Sequence, residues 1–122
     1  MRRKKVIIVD DDHRFRDPLE GFLSREAVVV TFDDPDAFAQ AYKNPSDLLD
    51  VYLIVLDFRF DSYNALDKDL VSYLREDLEY RGKVVLWSLE DSVPMEFSRR
   101  LNAVLPKKLL SLGEIEQCLE KC

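Results

Sequence analysis

Val6-Ile-Ile-Val-Asp-Asp-Asp12 decides how the rest of this chain is read. Four β-branched residues in a row are too few for a helix and are apolar toward both sides, as a strand covered on both faces requires. The run then breaks abruptly into three acids. The same design recurs along the chain. Tyr52 to Leu56 is followed by Asp57, and Val84 to Trp87, after the turn signal Arg81-Gly82, is followed by Ser88. Val28 to Phe32 and the short Ala103 to Leu105 complete a set of five predicted strands, the last running through Pro106 into Lys107.

Helical patterns alternate with them. Phe15, Leu19, Phe22 and Leu23 share one face, and Pro18 is accommodated if that helix starts near Arg16, because first-turn amides have no intrahelical partner. Asp34-Pro35 reads as an N-cap and first-turn proline ahead of Phe38, Ala41 and Tyr42. Leu66, Leu70, Leu74 and Leu78 recur every four residues, with Val71 beside them. Ser92 and Pro94 open a segment holding Met95, Phe97 and Leu101. Ser111-Leu-Gly-Glu114 is a capping box, followed by the stripe Ile115, Cys118 and Leu119. Strand and helix alternating five times imply an α/β domain spanning 1–122, with a parallel sheet covered on both sides. Right-handed crossovers place every strand's C-terminal end at one edge, where such folds bind ligands.

A chain of 122 residues suits one domain that folds without disulfide or metal support. Its net charge of −6 argues against nucleic-acid binding, which needs a basic surface. Cys118 and Cys122 are too few and too close for a disulfide framework, which points to a reducing cytoplasm. The apolar runs fall far short of the ~18 residues of a membrane helix. The basic run Met1-Arg-Arg-Lys-Lys5 reads as the charged lead-in to an interior strand rather than a signal peptide.

The polar residues ending the strands carry the chemistry. Asp10, Asp11, Asp12, Asp57, Ser88 and Lys107 come from distant parts of the sequence, yet the topology gathers them at one edge. Carboxylates so gathered repel one another unless a cation joins them. Magnesium accepts hard oxygen ligands and retains waters that phosphate oxygens can replace; manganese is the alternative ion. Lys107 and Ser88 can neutralise the oxygens of a transferring phosphoryl group, and Asp57 becomes the nucleophile. Asp12 reads as a helix cap or surface charge, and His13 as an exposed loop residue. Trp87 and Tyr52 read as packing residues.

The segments 6–12, 52–57, 84–88 and Val-Leu-Pro-Lys 104–107 together resemble the receiver domains of two-component response regulators, over essentially the whole chain. The resemblance implies a flavodoxin-like three-layer sandwich whose five-stranded parallel sheet has the order 2-1-3-4-5. It implies that Asp10 and Asp11 hold magnesium, joined by Asp57 and the backbone carbonyl of Arg59. Asp57 is then the phosphoacceptor, with Ser88 and Lys107 on the phosphoryl group. A histidine kinase or histidine phosphotransfer protein would be the donor. A downstream protein would read the face formed by the fourth helix, fifth strand and fifth helix, the chain being a monomer or weak dimer. The chain would be a regulator with only self-directed phosphotransfer and autodephosphorylation, not an enzyme in the usual sense.

The sequence departs from that family at several positions. Leu89 follows Ser88 where the family has Ala or Gly, Lys108 follows Lys107 where it has a cis proline, and Val104 replaces the aromatic switch residue. The loop after Asp57 lacks the usual proline and glycine. These departures motivate the alternative, a pseudo-receiver that acts as an interaction module without phosphorylation. Arg59 and Glu90 flank the expected pocket and are read either as a shield over the phosphoryl group or as two solvated charges. A small phosphatase of the haloacid-dehalogenase type, suggested by Asp10-x-Asp12, lacks a matching late acidic motif and the length for a substrate cap.

Overall fold

The computed structural model describes residues 4–56, 70–88, 100–106 and 108–120. Strands β1 (Lys4–Val9), β2 (Ala27–Phe32), β3 (Val51–Leu56), β4 (Lys83–Ser88) and β5 (Ala103–Pro106) form one sheet. Its order is β2-β1-β3-β4-β5 and every pairing is parallel, as the alternation of elements and the family resemblance predict. The order reverses between β1 and β3, so the crevice at their C-terminal ends is the topological switch point.

Alternation along the central strands sorts side chains onto two faces. Val6, Ile8, Leu53, Val55, Val85 and Trp87 pack with Leu19 and Leu23 of helix α1 (His13–Leu23) and with Leu112 and Ile115 of the C-terminal helix (Leu112–Glu120). Ile7, Val9, Ile54, Leu56, Val84 and Leu86 pack on the other side with Phe38 of α2 (Pro35–Ala41) and with Leu70, Val71, Leu74 and Leu78. Strands β1, β3 and β4 are therefore buried on both faces, the physical reason for their unbroken apolar runs.

The two edge strands depart from that expectation. Val28 of β2 and Val104 of β5 are 50% and 40% exposed, because an edge strand has no neighbour to extend the layers over it. Strand β3 carries an irregularity. Lys5 pairs with Val51 but Val6 with Leu53, so Tyr52 is an extra residue. Such a bulge turns two successive side chains to one face, and Tyr52 and Leu53 both join the α1 side.

Helix α1 starts earlier than predicted. Asp12, not a residue near Arg16, caps it, its carboxylate accepting from the Arg14 amide and its carbonyl from the amides of Phe15 and Arg16. Pro18 thus lies inside the helix, where it cannot donate to the Arg14 carbonyl. It sits on the exposed side, where water can serve that carbonyl. His13 is exposed as expected, but is the first residue of α1 rather than part of a loop.

The other caps form as read. Asp34 accepts from the Ala37 amide at 2.7 Å ahead of Pro35. Ser111 and Glu114 exchange reciprocal bonds of 3.1 Å. In the leucine-spaced segment, a short α3 (Leu70–Ser72) passes into a π turn (Tyr73–Asp77). Glu79, at φ 52°, adopts the left-handed conformation that ends it, so that the Tyr80 amide bonds back to the Leu74 carbonyl. Leu66 and the segment expected to begin at Ser92 and Pro94 lie outside the described residues. Among the described residues no helix is long and apolar enough to cross a membrane.

Candidate functional site

The acidic run sits where the topology predicts, at the C-terminal edge beside the switch point. Asp10 directly follows β1, and its amide continues the strand pairing by donating to the Phe32 carbonyl at 3.1 Å. Its side chain is wholly buried. One carboxylate oxygen accepts from the Asp12 amide at 2.8 Å, tying the acid to the turn that starts α1. A buried carboxylate is costly unless hydrogen bonds and positive charge surround it.

Asp11 next to it is exposed, and Asp12 is taken up by its capping role and by the Arg14 guanidinium at 2.8 Å. Asp10 and Asp11 are the pair to which the resemblance assigned the metal.

Arg16, not singled out from the sequence, joins two elements at this edge. Its Nη1 donates to the Asp10 carbonyl at 2.9 Å and lies 2.6 Å from a carboxylate oxygen of Asp33, in the loop after β2. Arg16 stands one helical turn before Leu19 and two before Leu23, so its place on the inward face of α1 was the signal available.

On the opposite side of the expected pocket, β4 brings Ser88 to the same edge, paired with Pro106 of β5. Trp87 is buried, stacks edge-on against Phe15 at 6.0 Å and donates its indole N–H to the Lys108 carbonyl at 3.0 Å. The Lys108 amide in turn donates to the Pro106 carbonyl at 2.9 Å. The residues on either side of Lys107 are thereby anchored to the sheet end. Trp87 is the packing residue expected. Tyr52 does more than pack, as its hydroxyl donates to Glu116 at 2.8 Å.

Asp57, Arg59, Leu89, Glu90 and Lys107 lie outside the described residues, as does the bond between Lys107 and Lys108. Among the described residues no group of three metal-ligating side chains gathers. Asp10 and Asp11 supply two hard oxygen donors, which fits an ion such as magnesium that binds through few protein ligands.

No protein-family model matches the chain, and no curated protein matches it in sequence. Solved structures do. The chain has the fold of response-regulator receiver domains. A receiver protein from Pseudomonas putida is 21% identical with a TM-score of 0.66, covering 100% of this chain and 99% of its own. The receiver domain of NarL from Mycobacterium tuberculosis is 22% identical with a TM-score of 0.69, covering 100% of this chain and 97% of its own. The regulator TrrA from Thermotoga maritima, solved with magnesium and beryllofluoride, is 16% identical with a TM-score of 0.71, covering 97% of each chain.

Proposed function

We propose that this chain is a phosphoacceptor switch of a two-component phosphorelay, phosphorylated on Asp57 by a histidine kinase or histidine phosphotransfer protein. The observation that supports it most is the buried Asp10 carboxylate at the sheet's switch point, beside Asp11 and on the strand neighbouring the one that leads into Asp57. Asp10, Asp11, Asp57 and the Arg59 carbonyl would hold magnesium, which when bound supplies positive charge to phosphoryl oxygens. In the transfer, a carboxylate oxygen of Asp57 bonds to phosphorus as the phosphorus–nitrogen bond of the donor phosphohistidine breaks. The imidazole leaves with the electron pair. Lys107 and Ser88 balance and hold the phosphoryl oxygens. Autodephosphorylation then releases inorganic phosphate when water attacks phosphorus and the Asp57 oxygen leaves. These are self-directed steps of a cytoplasmic regulator rather than turnover of a separate substrate.

The partner that reads the switch would meet the face of β5 and the flanking helices. The alternative, a phosphorylation-independent interaction module, draws its support from Val104, which leaves that face of β5 without the aromatic ring. Incubation with acetyl phosphate and magnesium separates the two readings. A switch gains the mass of one phosphoryl group, loses it in Asp57→Asn, and shows amide shifts at residues 10–12 with beryllofluoride. A chain that takes up neither reagent is the interaction module.

A further inference from the structure

The opposite edge of the sheet carries a second charged site of the other sign. A cleft of about 360 Å³ opens there, lined by Arg75, Tyr80, Arg81, Arg100, Leu101 and Asn102. Three arginines thus line one cleft in a chain whose net charge is −6.

Their bonding divides the labour. Arg75 is spent on the protein itself. It donates to the carbonyls of Tyr80 at 2.8 Å, Gly82 at 2.9 Å and Arg100 at 3.1 and 3.2 Å, and to the Asn102 amide oxygen at 3.0 Å. It forms no ion pair among the described residues. Arg81 makes no ion pair or side-chain hydrogen bond among the described residues. Arg100 donates to the Ser72 hydroxyl and reaches Glu76 only at 3.6 Å, with both side chains about half exposed. Such a pair contributes little and exchanges readily for a better acceptor. Burial lowers the Arg75 pKa, the lesser effects of Tyr80 and Arg81 having opposite signs.

We propose that this cleft binds a phosphate-type oxyanion, either free phosphate or the terminal group of a small phosphate monoester. Arg81 and Arg100 supply the donors, and Arg75 supplies fixed positive charge. A guanidinium's planar fork matches two oxygens of such an anion, a better acceptor than the long Arg100–Glu76 pair. Leu101, partly buried at the rim, offers an apolar surface to the ester's organic part.

The test follows backbone amides by NMR in EDTA, so that the acidic edge cannot take up phosphate through magnesium. Inorganic phosphate and glycerol phosphate are titrated separately against chloride at matched ionic strength. Saturable shifts at residues 80–82 and 100–102, with a Kd of about 1 mM or tighter, are expected. Equal affinities assign free phosphate as the ligand; tighter glycerol phosphate assigns the ester. Arg81→Ala and Arg100→Gln should each weaken binding about tenfold while leaving the urea midpoint close to that of the parent. Shifts that chloride reproduces, that do not saturate, or that persist in the double variant overturn the proposal. Arg75 is left intact because its loss would disturb folding.

Discussion

The two ends of the sheet hold opposite charges by opposite means. At the C-terminal edge, carboxylates are held by backbone N–H groups: Asp10 by the Asp12 amide, Asp12 by Arg14, Asp34 by Ala37. At the N-terminal edge, cations are held by carbonyls and by a few carboxylates. Arg75 gathers the carbonyls of Tyr80, Gly82 and Arg100. Lys5 meets Asp50 at 3.5 Å, and Lys4 meets Glu116 at 3.0 Å. Topology explains the difference. In a parallel α/β sheet every strand runs into a helix N-terminus, with free amides, and every helix C-terminus, with free carbonyls, runs into the next strand.

Breaking the carbonyl-bound end should have the largest effect. Arg75→Met takes the guanidinium away from those carbonyls while keeping most of the apolar stem. A loss of about 3 kcal/mol is expected from the urea midpoint, because the oxygens it leaves are partly desolvated. A variant within about 0.5 kcal/mol of the parent would mean that water replaces the guanidinium without penalty.

Gly82→Ala attacks the same turn through space. A Cβ at Gly82 would meet the Tyr80 hydroxyl, which is held at 3.1 Å on the Val51 carbonyl. Burial also pushes the Tyr80 pKa up to about 12. Overpacking should cost about 2 kcal/mol. It should also free the phenol, so that absorbance titration finds Tyr80 ionising nearer 10. Unaltered titration with unaltered stability would show that the ring moves aside freely.

At the amide-bound end, Asp34→Ala should cost about 1 kcal/mol by removing the cap of α2, whereas Asp34→Asn, which keeps an acceptor, should cost less. Equal losses for the two would assign the effect to charge at the helix end rather than to the hydrogen bond.

The smallest effect sharpens the comparison through pH. Glu116 has its pKa lowered, first by the hydrogen bond from Tyr52 and then by that from Lys4. A carboxylate with a depressed folded pKa adds stability above its unfolded value, near 4.5, and that contribution fades as pH falls through the folded value. Tyr52→Phe should therefore raise the Glu116 titration midpoint seen by NMR. It should lower stability slightly at neutral pH and leave it unchanged once both states are protonated. A midpoint that does not move would show that the lysines Lys4 and Lys83, not the phenol, set it.

The architecture was legible because its signals are local. The runs 6–9, 52–56 and 84–87 are apolar on both faces only because helices cover both, and the Asp34-Pro35 and Ser111-Glu114 caps need no neighbour outside their own turn. Reading failed where a second element decided the outcome. Pro18 suggested a later helix start, but the Asp12 cap outweighed it. The bulge in β3, which places Tyr52 and Leu53 on one side, left no mark in the apolar run 52–56. The acidic pair at 10 and 11 was readable as strand-ending acids, whereas Arg16 was not, since its value lies in joining the ends of β1 and β2.

What the residues determined alone was therefore the identity and sequence of the elements, their caps, and the acids that terminate β1. These depend on hydrophobic periodicity and on hydrogen bonds spanning a few residues. Tertiary structure alone decided how the β3 bulge turns Tyr52 toward Glu116, and how Arg75, Arg81 and Arg100 come to line one cleft. Each of those brings together residues far apart in the chain, and separation in sequence carries no record of distance in space until the sheet has closed.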